Sequence, residues 1–113
     1  MIKKTLLALA LVVSTLAPAT AAEPIEGNWK TASGETASIA ACGPDYCVTL
    51  QTGKFAGRQI GRMSGQGQSY KGEITDPAGD KTYSGSGEVK GDSLTMKGCV
   101  LGIFCKSQTW ARL

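Results

Sequence analysis

Four cysteines carry the most reactive side chains of this 113-residue chain, and they fall in two close pairs, Cys42 with Cys47 and Cys99 with Cys105. Two chemistries suit such a set: a four-thiolate zinc site or a pair of structural disulfides. The pairs are separated by four and five residues, longer than a zinc knuckle prefers. The chain contains no histidine, which removes the commonest general base and metal ligand, and with them Ser-His-Asp and Cys-His nucleophiles. Asp76 and Asp80 flank Pro77-Ala78-Gly79. A calcium loop needs about six oxygens and a glycosidase pair needs a cleft, so this segment reads as a hairpin turn with Asp capping its own backbone. Gly61, Gly65 and Gly67 lack the lysine and following Ser/Thr of a phosphate loop. No catalytic residue, metal site or cofactor is expected.

One segment resists a bland reading. Val100-Leu101-Gly102-Ile103-Phe104 is wholly apolar between two strand-like stretches, where a water-facing loop is normally polar. Two roles suit it: a plug folded over one end of a barrel, or a contact surface for a ligand or partner, held at its base by Cys99 and Cys105.

The elements that position these residues begin after residue 22. Met1-Ile2-Lys3-Lys4, an apolar run from Leu6 to Leu16 and the small-residue stretch Ala17–Ala22 form the three parts of a cleavable signal peptide, too short for a membrane span. Residues 1–22 are therefore expected to be removed, leaving 23–113 as a single exported domain with no transmembrane segment. Periplasmic or secreted chains are oxidised, which favours disulfides over zinc. Loss of Lys3 and Lys4 leaves ten basic residues against nine acidic, giving no electrostatic basis for binding nucleic acid or acidic membranes. A domain this small is expected to need staples. All fifteen glycines lie after residue 22, as expected of a chain of tight turns and bent strands.

No stretch after Pro24 sustains a helical period, whereas apolar and polar residues alternate along it. Ala37, Ile39 and Ala41 alternate up to Gly43-Pro44-Asp45, and Tyr46, Val48 and Leu50 alternate beyond it. Further strands are expected near 28–31, 58–64, 69–75, 82–90, 93–98 and 106–112, which makes eight in an antiparallel meander. If Cys42 faces Cys47, then Ile39 faces Leu50 and Ala41 faces Val48. If Cys99 faces Cys105, then Leu94 faces Trp110 and Met96 faces Gln108, with Lys97 and Ser107 on the sulfur side. Both arrangements sort apolar side chains onto one face and bring each pair within disulfide range. A crossed Cys42–Cys105 bridge would close a longer loop, stabilising by about 4 rather than 2 kcal/mol. Geometry and fast local closure nevertheless favour the hairpin pairs.

Gly27-Asn28-Trp29, Cys42-Gly43 leading to Cys47, and Asp76-Pro77 with Gly79-Asp80-Lys81-Thr82-Tyr83-Ser84-Gly85 belong to one further pattern. Together with Gly98-Cys99-Val100-Leu101-Gly102 and Ser107-Gln108-Thr109-Trp110-Ala111-Arg112, they resemble the bacterial exported family catalogued as domain of unknown function 2147. The resemblance covers nearly all of 23–113 and implies a lipocalin-like β-barrel without an established activity. The stretch Gln51–Gln68 is shorter here than is usual in that family. Gly27-x-Trp29 with a terminal arginine is also similar to lipocalin-type barrels. That similarity implies that Trp29 closes the barrel base beneath Arg112, with Trp110 in the same structural group.

Three function classes follow. A lipocalin-like binder of a small apolar ligand or envelope component needs an open interior, whereas Trp29, Ile39, Leu50, Tyr70, Ile74, Tyr83, Leu94, Met96 and Trp110 are available to fill one. A protein-interaction or inhibitor module of the envelope would use Val100, Leu101, Ile103 and Phe104. An enzyme is the least supported class.

Overall fold

The computed structural model describes residues 22–113; the expected signal peptide lies almost wholly outside them. Eight antiparallel strands form a closed barrel in chain order. They are β1 (Gly27–Lys30), β2 (Thr36–Cys42), β3 (Asp45–Leu50), β4 (Gln59–Gln66), β5 (Ser69–Asp76), β6 (Lys81–Lys90), β7 (Ser93–Val100) and β8 (Phe104–Arg112). Successive hairpins turn at alternate ends, so the loops 31–35, 51–58, 77–80 and 101–103 share one end. The turns at 43–44, 67–68 and 91–92 share the other with the N-terminal segment.

Both expected disulfides form, Cys42–Cys47 and Cys99–Cys105, one at each end of the barrel. The β7–β8 register is as expected, with Cys99 opposite Cys105, Leu94 opposite Trp110, Met96 opposite Gln108 and Lys97 opposite Ser107. The β2–β3 register differs. Ala37 faces Leu50, Ile39 faces Val48 and Cys42 faces Asp45, a shift of two residues from the pairing that sets Cys42 against Cys47. The cause is the turn: Gly43 adopts φ 70° ahead of Pro44, the order of a two-residue II′ hairpin loop, where direct opposition of the cysteines would need four residues. The disulfide consequently bridges diagonal neighbours whose Cα atoms are 5.8 Å apart. An even shift keeps every side chain on its face, which is why the disulfide and the core survive it.

The barrel is filled at one end. Ile25, Trp29, Ile39, Val48, Met63, Tyr70 and Leu94 are fully buried there or midway along it. Ile25, which no alternation marks, enters from the segment before β1, where its carbonyl accepts the Trp29 indole N–H at 2.9 Å. The Arg112 guanidinium lies over the Trp29 ring with its carbon 4.2 Å from the centroid. It donates to the Pro24 and Glu26 carbonyls at 2.6 and 3.1 Å. Arg112 thus lies over Trp29 and ties the N-terminal segment across the barrel base. Glycine lets the wall curve: a Cβ on Gly72 would strike the Arg62 carbonyl oxygen and come within 2.8 Å of the Met63 Cα, so only a bare backbone fits β5 against β4 there.

Candidate functional site

The opposite end is open. The inward side of β8 carries Phe104, Lys106, Gln108 and Trp110, set by the two-residue period from the buried Trp110. β1 is too short to cover this strand. It pairs with β8 only at Trp29–Arg112 and Lys30–Ala111, and the chain then leaves as the loop 31–35. The Leu113 N–H donates to the Asn28 carbonyl, so the odd-numbered residues of β8 direct their backbone groups toward β1. Cys105, Ser107 and Thr109 therefore face a gap beyond the end of β1 pairing.

A cavity of about 900 Å³ occupies this end and reaches the gap. Its floor is Leu50, Ile60, Met96 and Trp110, all at least nine-tenths buried. Ile60 is aimed inward by a bulge: Val48 faces Gly61 and Thr49 faces Gln59, leaving Ile60 as the extra residue in β4. Ile74 and Tyr83 form the wall, and Phe55 reaches the cavity from the loop 51–58. That loop is closed at its base by Leu50 N–H to Arg58 carbonyl and Gly57 N–H to Leu50 carbonyl bonds of 3.0 and 2.7 Å. The volume lies in the range of small-molecule sites. The polar lining includes Lys54, Lys106, Gln108, Glu35 and Asp76.

The apolar tip borders this opening. Val100, Ile103 and Phe104 line the cavity, yet they are 39, 73 and 71 % exposed, and Leu101 is 84 % exposed. The tip is therefore a rim and not a plug. Its turn is the three-residue loop 101–103 between the paired Val100 and Phe104; within it the Ile103 N–H donates to the Val100 carbonyl at 3.1 Å, with Leu101 at φ 57° and Gly102 at φ 69°. Two left-handed residues define the I′ turn, whose first central position favours Asn, Asp or Gly. Leucine there is both strained and wet, a combination that marks a position not chosen for stability.

The remaining expectations divide. Trp29 and Arg112 meet at the closed base and Trp110 lies in the cavity floor, so the two tryptophans serve different ends of the barrel. Asp76 accepts the Ala78 N–H at 3.0 Å, the expected Asp turn, and Asp80 pairs with Arg58 at 3.0 Å. Among the described residues no group of three or more His, Cys, Asp or Glu side chains is placed to hold a metal ion, and no helix is long and apolar enough to cross a membrane. The expected fillers Leu50, Ile74, Tyr83, Met96 and Trp110 line the cavity instead of closing it. Phe55, Ile60, Lys106 and Gln108 join them as cavity residues that sequence reasoning missed. For Lys106 and Gln108 the signal was present, since they share the face of Trp110. For Phe55 it was an isolated aromatic in a glycine-rich stretch.

Fold and site together define a small antiparallel β-barrel sealed at one end and hollow at the other. Residues 49–112 match the family described as an uncharacterized protein conserved in bacteria (DUF2147). The chain belongs to that family, the matched segment running from β3 to β8 and taking in the tip and most of the cavity wall. Neither curated proteins nor solved structures gave a match.

Proposed function

We propose that this protein is an exported, lipocalin-like binding module that holds a small apolar molecule in the open end of its barrel. One observation carries the reading: an apolar-floored cavity of about 900 Å³ where a small eight-stranded barrel is often filled by its own side chains. Two disulfides and the N-terminal leader pattern support a place outside the cytoplasm, in the periplasm or beyond it. The lack of histidine, the commonest general base, favours binding over catalysis. Calorimetric titration with dodecan-1-ol tests this reading: saturable one-to-one binding with a negative heat-capacity change is expected, and no binding up to the solubility limit would reject it.

A second reading has its own observation, the exposed and strained Leu101. In it the tip, Val100 to Phe104, docks the barrel on an envelope protein or component that delivers or receives the ligand. Residues beside a cavity mouth are well placed for such a role.

A further inference from the structure

The polar groups inside the cavity select a ligand class, an inference that rests on the binding reading above. Lys106 and Gln108 occupy consecutive positions on the cavity side of β8, and both remain exposed to solvent there. The cross-strand pairs order them by depth. Phe104 lies opposite Val100 at the rim, Lys106 opposite Gly98 one row further in, and Gln108 opposite Met96 below that. The Gln108 Oε1 accepts the Trp110 indole N–H at 3.0 Å. An indole nitrogen only donates, which fixes the orientation of the amide and leaves its NH₂ group to the cavity. Lys106 also only donates. The four ion pairs among the described residues all use other cations, so its ammonium has no carboxylate within ion-pair distance.

Two carboxylates, Glu35 and Asp76, also line the cavity, and each has a partner of its own. Asp76 lies at the outer end of β5, beyond Ile74, faces Lys81 and binds the Ala78 N–H. Glu35 lies on the loop 31–35 and accepts the Ser33 hydroxyl at 2.9 Å. The other lysine at the cavity, Lys54, lies on the loop 51–58 with its ammonium 5.6 Å from the Phe55 ring centroid, so the strand wall itself offers one cation, Lys106, and one amide donor above a floor of Leu50, Ile60, Met96 and Trp110. We propose that the ligand is a single-chain amphiphile with an anionic head. Its tail lies on the apolar floor, and Lys106 with the Gln108 amide holds the head at the gap in the wall. A carboxylate and a phosphate head share this chemistry, and each accepts from both donors.

The test compares dodecanoate, dodecyl phosphate and dodecan-1-ol as probes in calorimetric titrations of the full mature protein. At least one anion is expected to bind about fivefold more tightly than the alcohol at low salt, with the advantage shrinking as salt is added; the larger advantage identifies the head group. In Lys106→Met the advantage is expected to vanish while alcohol binding persists, and in Lys106→Arg it is expected to return. Circular dichroism of each variant confirms the barrel. Equal binding of all three probes by the native protein, or an anion preference unchanged in Lys106→Met, would overturn the amphiphile assignment while leaving the apolar binding site. Failure of every probe to bind would overturn the binding reading itself.

Discussion

Replacing Leu101 by asparagine is expected to stabilise the barrel, although it removes an apolar side chain. Leu101 holds φ 57°, a left-handed conformation that raises an ordinary residue by about 1–2 kcal/mol and that asparagine tolerates better. Against this stands the burial lost. Leu101 is 84 % exposed, so about one-sixth of a full leucine burial of about 1.5–3 kcal/mol is at stake, roughly 0.3–0.5 kcal/mol. The balance favours Leu101→Asn by about 0.5–1 kcal/mol, or about 2–8 °C in Tm for a domain of this size. Thermal and urea unfolding with both disulfides intact measure it. A variant less stable than the native protein would show that Leu101 is held by packing, and would refute both the strain argument and the reading of the tip as an open rim.

Other perturbations probe the two ends separately. Trp29→Ala at the sealed base is expected to lower stability by about 3–5 kcal/mol, whereas an unchanged urea midpoint would remove Trp29 from the core. The double change Leu101→Ser with Phe104→Ser is expected to leave stability within about 1 kcal/mol, since exposed substitutions usually stay within about 0.5 kcal/mol each; loss of several kcal/mol would reveal a buried plug. Gly72→Ala is expected to destabilise strongly, because the new Cβ meets the β4 backbone at Arg62 and Met63, and a native-like unfolding midpoint would contradict the close approach of β5 to β4. Burial, with the Glu23 carboxylate second, raises the Tyr70 pKa above its ordinary value. Its contribution is therefore full below about pH 10 and lost as pH rises through the raised value. Urea midpoints are expected to fall less steeply above about pH 10 in Tyr70→Phe than in the native protein, and parallel curves would refute the assignment.

What the sequence made legible follows from periodicity and turn chemistry. Alternation around Ile39, Val48, Leu94 and Trp110 placed the strands and their inward faces, and the cysteine spacing found both staples. The β2–β3 register was misplaced because opposition of Cys42 and Cys47 is only one of the geometries a disulfide accepts, and Gly43-Pro44 prefers the shorter loop. Ile25 escaped because a single residue before a strand has no period. The cavity was less legible than the wall. Whether inward side chains fill a barrel depends on where glycines, the bulge at Ile60 and the short β1 leave space, and none of these sets a pattern in one strand alone. Lys106 and Gln108 were readable in principle: two-residue counting from Trp110 puts them inside, where an apolar core would exclude them.

The central claim is that the barrel binds at its open end, and the two tryptophans report on it independently. Trp110 lies in the cavity floor, while Trp29 is sealed in the base and does not line the cavity. Their indole N–H groups give separate signals in a ¹H–¹⁵N correlation spectrum, assignable by single replacement with phenylalanine. Titration with dodecan-1-ol is expected to move the Trp110 indole signal saturably and leave that of Trp29 in place. An unmoved Trp110 signal at the solubility limit of the alcohol, or a shift confined to Trp29, would contradict the account.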